Sequence, residues 1–92
     1  MHDWSLICIS YDWKSRKLIL DFRTDAGNAS LEAQGTSLLL VPHRQEWGPS
    51  VNVQKCDGLE SALQSGGKLE LQMQSGDTIV IEAVTFLLRK EA

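Results

Sequence analysis

Proline is scarce here and unevenly placed. Pro42 and Pro49 are the whole complement, so no segment outside residues 42–49 is barred by proline from the middle of a sheet. Cysteine and histidine are as sparse. Cys8, Cys56, His2 and His43 stand singly along the chain, without the close pairs such as Cys-x-x-Cys that build a structural zinc site. No metal and no cofactor are therefore expected. Two thiols in a chain with no export leader are expected to be reduced core residues, Cys8 the more inert because it lies inside an apolar strand.

Charge of one sign never accumulates. With a net charge of −3 and no basic stripe, the chain lacks the positive field of a general nucleic-acid binder. Long apolar runs are missing too: Leu38 to Pro42 is far shorter than the ~20 residues of a membrane helix. Met1-His2-Asp3-Trp4 has neither the basic nor the apolar part of a signal peptide. These absences predict a cytoplasmic protein with no membrane and no nucleic-acid partner.

Catalytic signatures are wanting as well. Gly48-Pro49-Ser50 lacks the Gly-x-Ser-x-Gly elbow, and Gly66-Gly67-Lys68 has neither the spacing nor the following helix of a phosphate loop. The 12 Asp and Glu residues include no pair singled out by an apolar setting that would split their pKa values. The chain is not expected to be an enzyme, and no catalytic residue is assigned.

What is present is strand periodicity. Lys68, Glu70, Gln72 and Gln74 alternate with Leu69, Leu71 and Met73, the period of two that separates the faces of a strand. Gln74-Ser75-Gly76-Asp77 supplies turn chemistry, and Thr78 to Ala83 is rich in β-branched residues. This stretch predicts a hairpin with Leu69, Leu71, Ile79 and Ile81 buried. Leu6 to Tyr11 reads as a strand with Ile7, Ile9 and Tyr11 on one face. Lys17 to Arg23 returns antiparallel to it, with Leu18, Leu20 and Phe22 on one face.

Asp25-Ala26-Gly27-Asn28 reads as a turn, Ser30 to Gln34 and Thr36 to Val41 as strands around a bend at Gly35, and Ser50 to Cys56 as a further strand. Residues 57–66 hold the one candidate helix, with Asp57 as its cap and Gly66-Gly67 as its stop; it is short enough to be a loop instead. Phe86 to Glu91 fits an extended or a helical tail. About seven short strands with regular turn signals predict a single all-β domain over residues 1–92, an antiparallel sandwich or a partly closed barrel. Such a domain has sheet edges to protect, and pairing one with a second copy would make a homodimer.

The segment between the two prolines is the most unusual in composition, and His43, Arg44 and Trp47 within it are the candidate binding residues. Arginine and tryptophan are enriched at binding hot spots, and loops on a rigid scaffold often carry function. The same composition suits a lid, with Trp47 closing one end of the core. Trp4 and Trp13 are expected to pack over strand ends.

His2-Asp3-Trp4-x-Leu6, followed by Ile7, Ile9 and Asp12-Trp13, resembles the opening of several families of small bacterial β-rich proteins that begin His-Asp-x-x-Leu. Some of these are described as immunity proteins of polymorphic toxin systems. The resemblance implies a small, bacterial, non-enzymatic protein and no catalytic residues. The function expected is a protein-binding module, immunity-like in that reading, with a protein partner or self-association through a sheet edge. The alternative is a β domain that binds a small ligand or serves as an accessory subunit.

Overall fold

Apolar residues at every second position build two sheets whose inner faces make one core. A computed structural model describes residues 3–42 and 52–91. In it β1 (Ser5–Asp12), β2 (Lys17–Thr24) and β3 (Gly27–Gln34) form an antiparallel meander. β4 (Leu38–Leu40) and β5 (Val53–Asp57) lead to a helix, α1 (Leu59–Ser65), and then to β6 (Gly67–Met73), β7 (Thr78–Ala83) and β8 (Thr85–Glu91). Among the described residues the strands order as β1-β2-β3-β8 in one sheet and β4-β7-β6-β5 in the other.

The hairpin of β6 and β7 follows the alternation closely. Leu69 pairs with Ile81 and Leu71 with Ile79, and all four side chains are buried. Across the sandwich they meet Leu18, Leu20 and Phe22 of β2 and Leu31 of β3. The described residues form eight strands and one short helix, in keeping with the expected all-β domain of about seven strands. The eighth is the tail, which is extended, β8 pairing with β3 from Gln34–Thr85 to Asn28–Glu91.

β3 and β4 are one strand bent between the sheets, and so are β7 and β8. Both bends fall at the same corner. Gly35, at φ 66°, carries the first, and Val84 donates its N–H to the Gln34 carbonyl at 3.0 Å in the second. Ser37 donates to the Glu82 carbonyl at 2.8 Å, so β4 takes up pairing with β7 where β3 leaves β8. At the opposite corner Ser5 bridges Asn52, while Val53 donates to the Trp4 carbonyl at 2.8 Å and accepts from the Asp3 N–H at 2.9 Å. The sheets are thus pinned at two corners, without closing into a barrel.

α1 packs against β8 and β6 and inserts Ala62 into the core. Its N-cap is Gly58 in the left-handed region at φ 84°, with no side-chain cap bond. Asp57 therefore does not cap the helix as expected. It ends β5 instead, with its carboxylate 3.6 Å from Lys55 Nζ. No helix among the described residues is long and apolar enough to cross a membrane.

Candidate functional site

β1 and β4 are edge strands of different sheets, and a groove runs between them. Its two depressions measure about 430 Å³ at the Trp13 end and about 300 Å³ at the Ile7 end.

A bulge in β1 shapes the second of these. The pairing steps from Leu6–Phe22 to Cys8–Asp21, so one extra residue enters β1 and the side-chain phase slips. Leu6, Ile9 and Tyr11 turn toward the core, and Ile7 is pushed out to 58% exposure. The simple alternation that joined Ile7 to Ile9 fails for this reason. The same slip exposes Cys8, overturning the expectation of a buried thiol; its Sγ lies 3.7 Å from Ser10 Oγ. Cys56 is the covered one, and burial pushes its thiol up to about 11.

The turn after β1 shapes the first depression. Asp12 Oδ1 accepts from the backbone N–H groups of Lys14 at 3.0 Å and Ser15 at 3.2 Å, an Asx-type turn. Arg16 then takes the left-handed conformation, φ 57°. It is laced to the bend between β3 and β4 twice: Arg16 Nε donates to the Thr36 carbonyl at 3.1 Å, and the Thr36 N–H donates to the Arg16 carbonyl at 3.1 Å. Thr36 is buried, and its Oγ1 has no hydrogen-bond partner among the described residues. Trp13 stands edge-on to Tyr11, with ring centroids 6.0 Å apart, and is 84% exposed. It does not pack over a strand end as expected. Trp4 does, half-buried against Phe22 with Lys90 Nζ over its ring.

The edges differ in how they meet solvent. β8 carries Arg89 and Lys90 and has α1 beside it. β5 carries Lys55 and Asp57 and a bulge between Val53 and Lys55. Charge, coverage and bulges are the usual means of keeping an edge from pairing with another chain. β1 has no charged residue from Ser5 to Tyr11, and 36–42 has none at all. Leu38, Leu40 and Val41 of that second stretch are exposed along with Ile7 and Trp13. Charge returns at the groove's ends, Arg16 lining one and Asp77 the other.

The candidate residues His43, Arg44 and Trp47 lie outside the described residues. Among the described residues no group of three His, Cys, Asp or Glu side chains is placed to hold a metal ion. The residues that line the groove are not singled out by the sequence because Thr36 to Val41 reads simply as a strongly apolar strand, whereas β4 within it stands at an edge. The signal was the missing charge itself. Comparison with family models, with curated proteins and with solved structures finds no match to this chain.

Proposed function

We propose that this chain is a non-catalytic protein-binding module that takes an extended, uncharged apolar segment of a partner protein along the groove between β1 and β4. The observation that carries the reading is the contrast in charge among edges: β4 and, from Ser5 to Tyr11, the bulged β1 carry none and show Ile7, Leu38, Leu40 and Val41 to solvent, while β8 and β5 carry charged residues and β8 has a helix beside it. An added strand gains affinity from main-chain hydrogen bonds and specificity from the pockets that receive its alternate side chains. The apolar residues along the groove supply such pockets. The opening His2-Asp3-Trp4-x-Leu6 suggests an immunity-like form of this role, in which the captured segment belongs to a toxin. A net charge of −3 would speed the encounter with a basic one.

The test is a selection of random peptides on the native protein, repeated on Leu40→Lys, which places a charge on the exposed edge. The reading expects extended apolar sequences whose binding falls at least tenfold in the variant, with a melting temperature close to that of the parent. Ligands indifferent to Leu40→Lys would refute it. A concentration-dependent dimer that Leu40→Lys dissolves would reassign the edges to a second copy of this chain.

A further inference from the structure

We infer that the Arg16 end of the groove is a carboxylate site, so that the segment it takes is the free C-terminal end of a partner chain. This rests on the protein-binding reading above and adds the chemistry and direction of the ligand.

Arg16 is the first ground. Its Nε is committed to the Thr36 carbonyl, which sets the plane of the guanidinium and leaves the two terminal nitrogens, the pair that meets a carboxylate in a fork. Among the described residues no carboxylate is in ion-pairing distance of it. Glu82 lines a neighbouring depression together with Arg16 and Lys68, without an ion pair to Arg16. A cation held in place at one end of a groove whose far end carries Asp77 and whose length between them is uncharged is an arrangement that asks for an anion.

Thr36 is the second. Buried hydroxyls nearly always find a partner, and this one has none among the described residues, although Thr36 lines the same depression as Arg16. A turn about χ1 carries its hydroxyl to the position that the methyl group holds now, and the methyl to that of the hydrogen. That would bring a second donor toward an oxygen held by Arg16.

Strand direction is the third. β4 begins at the Arg16 end and runs toward Val41 and Pro42, which line the far depression. Antiparallel pairs are the more stable per residue. β1 runs the other way, from Ile7 toward Tyr11, but its ladder is broken by the bulge, whereas that of β4 is regular. A segment paired antiparallel with β4 runs toward Arg16 and finishes there, with its last side chain beside Tyr11 and Trp13. A carboxylate at the terminus meets the guanidinium; a chain that continued would carry a neutral peptide past it.

The experiment uses the 15N-labelled protein and three pools of N-acetylated six-residue peptides, randomised over Val, Ile, Leu, Thr and Ser. One pool ends in the free acid, one in the amide, and one in the amide with glutamate as the fifth residue. The free-acid pool should shift the amide signals of Arg16, Thr36 and Leu38 and bind at least tenfold more tightly than the amide pool. Arg16→Gln should reduce the free acid to the level of the amide. Arg16→Lys, which keeps the charge without the fork, should fall between the two. Thr36→Val should weaken the free-acid pool alone, without lowering the melting temperature. Equal binding of acid and amide pools would overturn the carboxylate site while leaving the groove. Tighter binding of the glutamate pool than the free acid would overturn the terminal assignment. No shift along the groove with any pool would remove both readings.

Discussion

Adding one methyl group at Gly66 tests the packing between the helix and the crossing of β7 into β8. Gly66 closes α1 by donating its N–H to the Ala62 carbonyl at 2.8 Å, with φ 73° and ψ −162°, a region of backbone space that is essentially glycine's alone. A Cβ built there would sit 1.9 Å from the Val84 carbonyl oxygen, 2.6 Å from its carbon and 3.1 Å from the Ala83 oxygen. All three are backbone atoms, so no side chain can swing aside. Gly66→Ala therefore combines a conformational cost of roughly 1–3 kcal/mol with an overpacking cost of similar size. Gly67→Ala is the control. Its φ is 109°, but nothing lies within 4 Å of the added carbon, so strain acts alone. For a domain of this size each 1 kcal/mol moves the melting temperature by about 4–8 °C. Gly66→Ala should lower it by at least ~10 °C, and clearly more than Gly67→Ala does, in thermal scans followed by circular dichroism. Equal losses in the two variants would refute the close approach of Gly66 to Val84.

The core, the thiols and one ion pair give three more tests. Leu71→Ala removes a fully buried side chain between Cys56 and Ile79 and should cost ~2–5 kcal/mol in urea unfolding; a loss under about 1 kcal/mol would contradict the register. A thiol reagent near pH 8 should modify Cys8 quickly and Cys56 only after unfolding. Because the folded Cys56 thiol is raised from 9.0 to about 11, stability should hold below 9.0 and decline as pH climbs from there toward 11, and Cys56→Ala should flatten that decline. At the acid side, Lys17 at 3.1 Å and then Gln34 at 3.3 Å hold the Glu32 carboxyl below its ordinary 4.5. Its contribution, under about 1 kcal/mol for a pair with one exposed partner, is present above that value and lost as pH falls below it. Glu32→Gln should remove this part of the acid dependence of the melting temperature.

Local alternation was the most legible signal. Leu69, Leu71, Ile79 and Ile81 could be assigned to the core because β6 and β7 are regular strands with one face inward throughout. Where regularity breaks, alternation misleads. The bulge at Ile7 reverses the faces of β1 at its start, and nothing in Ile7-Cys8-Ile9 announces an inserted residue. Val84-Thr85 has the composition of a strand interior, so the crossing from one sheet to the other there was invisible, and β7 and β8 read as one run. At Asp57 the capping residue type is present, yet the chain enters the helix through Gly58, whose left-handed backbone the sequence also permits. The groove was hidden for a related reason. Whether an apolar strand is covered on both faces or stands at an edge depends on which strands join it, and those neighbours come from distant parts of the chain.

That long reach also governs how the molecule assembles. The meander of β1 to β3 and the hairpin of β6 and β7 need only nearby residues to meet across short turns. The bent ribbon that joins the two halves pairs Asn28 with Glu91 and Leu40 with Val80, partners separated by most of the chain's second half. Closing so large a loop sacrifices entropy before its contacts return any stability. Ribbon closure is then the step expected to limit the folding rate, and the corner at Gly35 and Val84 is where the two halves register on one another. Until it forms, β3 and β7 are themselves open edges, and the period between synthesis and closure is when this chain is most exposed to pairing with the wrong strand.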